Sequence, residues 1–462
     1  MVLALAVFIT LVLSLTIVPA FLKLLGPRIF WPNSGDRFRR HADRAAAHAK
    51  AERTYFYRAG RATQRHPRAV LGAALLVSIP LVAVALTVPL SYDFYGQLPR
   101  DHGATTGLSE LGSAFGPGFA VPSYVLVTFS APPIVGNASN ATEFTDLAAL
   151  TEIANSTGGI ASVTSPIGAT GAPLAAWTGL AYEASATREN LLGTWSGFVG
   201  LDHRTVLLTI VPSSTGLSTS AVASVGSVEA SFGRYQLSHP DVVALAYGGG
   251  APTINDLATQ TAHATDYLLL AVTIGLVVVL LIVLRSWIIA LMGVATIGLS
   301  ISWAWAVSYL VFQELLGFPL FFFVETVLFI LILGLGIDYN IFLLTRVREE
   351  RVRGRSSSDA AVEGVARTGG IITAAAVILA SAFASLLVGD FVIIQAIGFS
   401  VAIAVLLDAM VVRTYVVPAA LQLFNDRVWS LSGRKPSAAS IAAPAAPPPP
   451  DANGAGAGPP PP

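Results

Sequence analysis

The sequence predicts an α-helical polytopic membrane protein: seven transmembrane helices, N-terminus out and C-terminus in, with an extracytoplasmic α+β ferredoxin-like domain. Three observations predict it. Of the 462 residues, 54% are hydrophobic and 12% charged, where soluble domains carry about a quarter charged residues. Apolar runs at 2–22, 69–89, 267–284, 287–311, 320–344, 370–389 and 393–418 have the length that crosses a bilayer core. Between the second and third runs lies a long polar stretch, 90–266, that reads as a folded domain.

Charge placement orients the spans. The linker from Lys23 to Arg68 holds twelve Lys/Arg, including "RFRRHADR", against three acids, so the positive-inside rule places 23–68 in the cytoplasm. Counting from there, 90–266 falls outside with only Arg100, Arg188, Arg204 and Arg234. Arg285, the six arginines from Arg346 to Arg367, and Arg427, Arg434 and Lys435 fall inside. The first run lacks a preceding basic region and is followed by its basic residues, which argues against a cleaved signal peptide. Instead, "IVPAFLKLLGPRIF" (17–30) matches "VVPAALQLFNDRVW" (416–429) at a constant offset, pairing Pro19 with Pro418 and Arg28 with Arg427. Run 2–22 therefore reads as the end of a first repeat whose second copy fills the rest of the chain, the organisation of two-halved transporters.

Within 90–266, the segments 123–130, 160–167, 205–213 and 241–249 read as strands, and 143–155 and 221–235 as helices. That order is β-α-β followed by β-α-β. Asn137, Asn140 and Asn155 begin N-x-[ST] triplets, a weak signal in so Ser/Thr-rich a stretch. Residues 267–423 form the five-helix membrane portion. The Pro/Ala-rich stretch within 424–462 cannot bury a core and reads as a disordered cytoplasmic tail.

Several chemistries are excluded. The absence of cysteine removes thiolate, disulfide and Cys-metal sites, and no phosphate-binding G-x-x-x-x-G-K-[ST] loop occurs. No enzyme activity, metal, cofactor or nucleic-acid partner is expected. The ionisable residues inside the spans are few: Glu325, Asp338, Asp408 and Arg413. Glu325 sits near the outer end of its span, and Arg413 lies close enough to the cytoplasmic end to snorkel there. Asp408 in "AVLLDAMVVRT" is open to a structural or a functional role.

Asp338, in "ILGLGIDYNIFLLTRVREE" (332–350), lies six residues before Leu344, about 9 Å deep. A charge at such depth is costly and is a functional-site candidate. Gly334 and Gly336 allow close helix approach, so the acid should face other helices. A carboxyl buried there can be loaded and unloaded with a proton, and Tyr339 can assist. The blander reading is a protonated Asp hydrogen-bonded to a neighbouring helix.

This stretch resembles the signature of the MMPL family of the resistance-nodulation-division (RND) superfamily, an Asp-Tyr pair before "FL..R.REE". "YGQLPRDHGATTGLSELGSAFGPG" (95–118), "QAIGFSVAIAVLLDAMVVRTYVVPAAL" (395–421) and "LTIVPAFLKLLGPRIFWP" (15–32) resemble other parts of that family. The resemblance implies a cell-membrane transporter driven by the proton gradient that exports lipids or other hydrophobic molecules. It also implies Asp338 and Tyr339 as proton relay, with Asp408 as a secondary acid. The alternatives are a protein-export accessory resembling SecD and SecF, or a half without transport activity. Family members carry two six-span halves, whereas this chain matches one half and the last span of the other. A separate first-half polypeptide, a longer reading frame or, less favoured, a homodimer is therefore expected to complete it.

Overall fold

The computed structural model describes residues 2–26, 55–99 and 102–424. The RFRRHADR stretch, Arg100, and the segment from 425 with Arg427, Arg434 and Lys435 lie outside the described residues. Among the described residues three helices come first: α1 (Val2–Leu25), α2 (Tyr55–Arg65) and α3 (Pro67–Thr87). The polar section contains α4 (Gly103–Phe115), β1 (Ser123–Phe129), α5 (Ala141–Ser156), β2 (Ile160–Thr164), β3 (Thr205–Pro212), α6 (Thr219–Ser238) and β4 (Val242–Gly249). Then follow α7 (Gly250–Leu284), α8 (Trp287–Tyr309), α9 (Phe322–Val352), α10 (Ser357–Ala384), α11 (Val392–Leu407) and α12 (Val417–Phe424). Residues 408–416 form a widened π-helical turn joining α11 to α12.

Seven helical runs among the described residues are long and apolar enough to cross a membrane, and they coincide in order with the seven apolar runs of the sequence. Their ends differ because helices continue past the hydrocarbon. The run expected from 267 is the second half of one 35-residue helix that begins at Gly250. β4 turns into it through Gly249 at φ 88°, where a Cβ would come 2.5 Å from the Pro122 carbonyl oxygen. That conformation and approach suit only glycine.

The polar section builds a four-stranded sheet in the order β2-β3-β1-β4, every neighbour antiparallel. Alternation along β1 and β3 turns Val125, Val127, Phe129, Val206, Leu208 and Ile210 into one core, covered by Phe144, Leu147 and Leu150 of α5 and Val225, Val228 and Phe232 of α6. Phe144 stacks on Trp177 at 5.3 Å between centroids. The strand expected over 160–167 stops at Thr164. Ser165 caps a short helix by accepting a hydrogen bond from the Gly168 N–H (3.2 Å), and Pro166 fills its first position.

The membrane helices share a second core, to which α7, α8, α9, α10 and α11 all contribute. α1 is different: its described side chains are almost all exposed. The two ends of the bundle are chemically distinct. At one, the chain leaving α3 pairs with the start of α9 through Ser91 N–H to Leu320 O (2.8 Å) and Phe322 N–H to Ser91 O (3.0 Å). At the other, about 46 Å along the 31-residue α9, buried Glu350 accepts from Arg353 and Arg355, and Glu363 from Arg355 and Arg367.

In the polar section, Tyr235 donates to Asp146 Oδ1 at 2.9 Å, while Asp146 Oδ2 and Glu143 Oε2 are buried without hydrogen-bond partners among the described residues. Burial pushes the Glu143 carboxyl above its ordinary 4.5, and the Asp241 and Asp146 carboxylates reinforce the shift against one backbone hydrogen bond. A raised carboxyl stabilises the fold at low pH and loses that contribution as pH rises through its folded value. Glu143→Gln is therefore expected to raise stability at neutral pH and to flatten its decline above about pH 4.5. Hydrogen exchange of α5 in the purified chain as a function of pH checks this; an unchanged profile contradicts it.

Candidate functional site

The buried polar centre of the membrane bundle forms where α9 meets the π turn. Pro418 has no N–H to offer the Thr414 carbonyl, so regular α-helical bonding cannot run through this point. The chain adopts i→i+5 bonding instead: the Val417 N–H reaches Val412 O, and Thr414 Oγ1 donates to Ala409 O at 3.1 Å. In a regular α-helix, residues five apart point roughly 140° from one another. The widened turn stacks them, and Arg413 Nε donates to Asp408 Oδ2 at 2.6 Å.

Arg413 is 2% exposed and Asp408 5%. Ser300 of α8 donates to Asp408 Oδ1 at 3.1 Å. Arg413 Nη2 also contacts Asp408 Oδ2 and donates to the Gly336 carbonyl of α9 at 2.8 Å. The guanidinium lies 5.1 Å from the centroid of the Tyr339 ring, a cation–π distance. Its Nη1 is buried with no partner among the described residues. The expectation that Arg413 snorkels to the cytoplasmic end is corrected: a mid-bundle carboxylate, a carbonyl and an aromatic face hold it in place.

The structure brings Tyr339, Asp408 and Arg413 together. Asp338 lies elsewhere, because adjacent helical residues point about 100° apart. Its side chain is exposed and, among the described residues, makes no hydrogen bond or ion pair. It sits in a stripe with Ile330, Gly334 and Phe342 on the outward face of α9. The two glycines expected to promote close approach divide likewise. A Cβ at Gly336 would meet Ile297 at 3.1 Å, whereas Gly334 faces open space. Glu325 is exposed in the first turn of α9. Sequence reading missed Arg413 and Ser300 as site residues, and the available signal was Pro418 placed five residues after an arginine that follows an acid by five.

Above the bundle, a cleft of about 640 Å³ opens between Tyr95–Leu98, α4 and Thr215, lined by Tyr95, Leu98, Thr105, Leu108, Gly112 and Pro117. Gln97 anchors its lower edge, donating to the Pro319 carbonyl at 2.9 Å.

A helical bundle with seven runs, among the described residues, long and apolar enough to cross a membrane is the architecture of a multi-pass membrane protein. The MMPL family model matches residues 98–441, well over half of the chain, and the protein belongs to the MMPL family. It is 27% identical over 435 residues to the mycolic acid-containing lipids exporter MmpL11 of Mycolicibacterium smegmatis, covering 92% of this chain and 41% of that protein. It is 33% identical over 194 residues to the probable transport protein MmpL6 of Mycobacterium tuberculosis, 42% of this chain and 48% of that one. The heme uptake protein MmpL11 of Mycobacterium tuberculosis is 28% identical over 378 residues, 79% of this chain and 35% of that one. The chain spans less than half the length of these curated relatives.

Removing one member of a buried pair strands the other charge, at about 3–5 kcal/mol. Arg413→Met is therefore expected to lower stability by about that amount, and Arg413→Met with Asp408→Leu to recover most of it. Thermal unfolding in mild detergent checks this; a double variant no better than the single one contradicts it.

Proposed function

We propose that the chain supplies one half of a proton-driven MMPL transporter that exports a lipid or another hydrophobic molecule. The observation that carries the proposal is the division of α9. Its inner face, through Gly336 and Tyr339, is clamped by Arg413, while its outer face presents a lone carboxylate, Asp338, in an apolar stripe. A carboxylate against lipid is costly, so another six-span half, on the same or a second polypeptide, would cover that stripe. The exposed face of α1 and the relatives' greater length support this reading.

With Asp338 ionised, the trio of Asp338, Asp408 and Arg413 carries one net negative charge; with Asp338 protonated it carries none. Because Gly336 and Tyr339 flank Asp338 on one helix, loading the proton acts on the segment that Arg413 grips. Movement of α9 would be passed through Arg413 to the π turn and α12. Asp408 holds Arg413 in this arrangement, and Tyr339 offers its ring face as the platform. The polar section is read as an extracytoplasmic ferredoxin-like domain, supported by its strand order and by its position opposite the arginine cluster. The cleft beside α4, near the outer ends of α3 and α9, suits a hydrophobic substrate entering from the membrane. A lipid is favoured by the name of one relative and a heme-like molecule by another. The SecD/SecF-like alternative has no support among these relatives.

Two measurements test this. In proteoliposomes carrying the chain with a complementary half, an imposed pH gradient is expected to drive proton influx coupled to labelled-lipid export. Asp338→Asn is expected to reduce both to background while the protein remains abundant and folded. Full activity in that variant contradicts the relay, and activity of the chain alone contradicts the need for another half. For topology, single cysteines replacing exposed Asn137 and exposed Val352 are expected to label from outside and only after permeabilisation, respectively. The reverse pattern overturns the orientation.

A further inference from the structure

α2 is outside the membrane-spanning set, yet it docks against the first half of α10 in an antiparallel register. Near its C-terminal end, Gln64 donates to Ser358 Oγ (2.8 Å) and Asp359 Oδ1 (3.1 Å). One turn earlier, Gly60 is close enough to α10 that a Cβ would lie 3.3 Å from Val362 Cα. At its N-terminal end, the Phe56 ring lies over Gly369, where a Cβ would sit 2.4 Å from Phe56 Cδ1. Beside it, the Tyr55 and Tyr415 hydroxyls are 2.6 Å apart, joining α2 to the same π turn that carries Arg413.

Behind this contact lies a void of about 10 Å³, lined by Leu343, Thr368, Gly369, Ile372, Ala409 and Arg413 among others. That is close to the space one water molecule occupies. Gly369 is therefore shared: its neighbours on the inner side enclose Arg413, and on the outer side the Phe56 ring covers it. The buried guanidinium, with Nη1 unpartnered among the described residues, lines the same void.

We propose that α2 is a cap on the Asp408–Arg413 chamber, with Phe56 as its stopper over Gly369 and the Tyr55–Tyr415 hydrogen bond as its latch. Solvent reaches Arg413 from the basic end when α2 lifts. Its purpose rests on the reading of that chamber as part of a proton-driven machine, but the cap can be tested without measuring transport. Among the described residues, the contacts holding it include the Phe56 ring in the Gly369 notch, the close approach of Gly60 to Val362, the Tyr55–Tyr415 hydroxyl pair, the Gln64 amide and an Arg61–Asp359 ion pair at 3.7 Å. Local elements held in this way open below the free energy of global unfolding.

The absence of cysteine makes the test clean. Thr368→Cys places a nearly isosteric reporter in the void, and Ala304→Cys, in the fully buried part of α8, reports on the bundle as a whole. In the purified full chain, a charged thiol reagent is expected to modify Thr368→Cys slowly. Adding Phe56→Ala is expected to accelerate it about tenfold or more, the effect of weakening the closed state by one decade in its equilibrium. Gly369→Ala, which leaves the Phe56 ring no room, is expected to do the same by pushing from the other side. Tyr55→Phe is expected to give a smaller acceleration. Ala304→Cys should stay unreactive in every background. Unchanged labelling of Thr368→Cys in both the Phe56 and Gly369 variants overturns the cap. So does equal acceleration at Ala304→Cys, which marks general loosening. Unchanged proton-coupled transport in variants that give these labelling results would instead count against the proton-route reading.

Discussion

One buried guanidinium organises the membrane half of this protein. Arg413 in an apolar bundle is tolerable only while its charge and hydrogen-bonding groups are met. Asp408 on its own turn, the Gly336 carbonyl on α9 and the Tyr339 ring meet the charge and the Nε and Nη2 donors from two sides, and Nη1 is left without a partner among the described residues. The pair thus fixes α9 against the π turn, and Ser300 adds α8 to the same junction. Moving any one of these elements alone would expose a charge to hydrocarbon, so they are constrained to move together.

That constraint gives α9 its asymmetry. On the inner side Gly336 packs against Ile297 and yields its carbonyl to Arg413, so the absence of a side chain there serves close approach. Two residues away Gly334 faces open space in line with Asp338. The acid and the tyrosine of one dipeptide consequently serve different surfaces. Tyr339 belongs to the ion-pair chamber and Asp338 to a face left uncovered among the described residues. The chain belongs to the MMPL family, and relatives of it are named a mycolic acid-containing lipids exporter and a probable transport protein.

The chamber has two boundaries. Toward the bundle it is closed by the large apolar core that α8, α9, α10 and α11 share. Beside Gly369 it meets α2, which is held to α10 and the π turn by the Phe56 ring, the close approach of Gly60 to Val362, the Tyr55–Tyr415 hydroxyl pair, the Gln64 amide and the Arg61–Asp359 ion pair.

The sequence by itself determined the class, the seven spans and their order, because the length and apolarity of a membrane helix are local properties that hydrocarbon enforces residue by residue. It also singled out Asp338, Tyr339 and Asp408, since any ionisable residue in such a run stands out. Helix ends escaped it, as with α7 beginning at Gly250, because polar residues continue a helix outside the bilayer as readily as they end it. The strand after Ile160 was read too long because the Ser165–Pro166 cap was not weighed. Only the tertiary structure decided the role of Arg413. On an ideal helix it points away from Asp408 and toward the nearest interface, and only the π turn at Pro418, pressed against α9, turns the two toward each other.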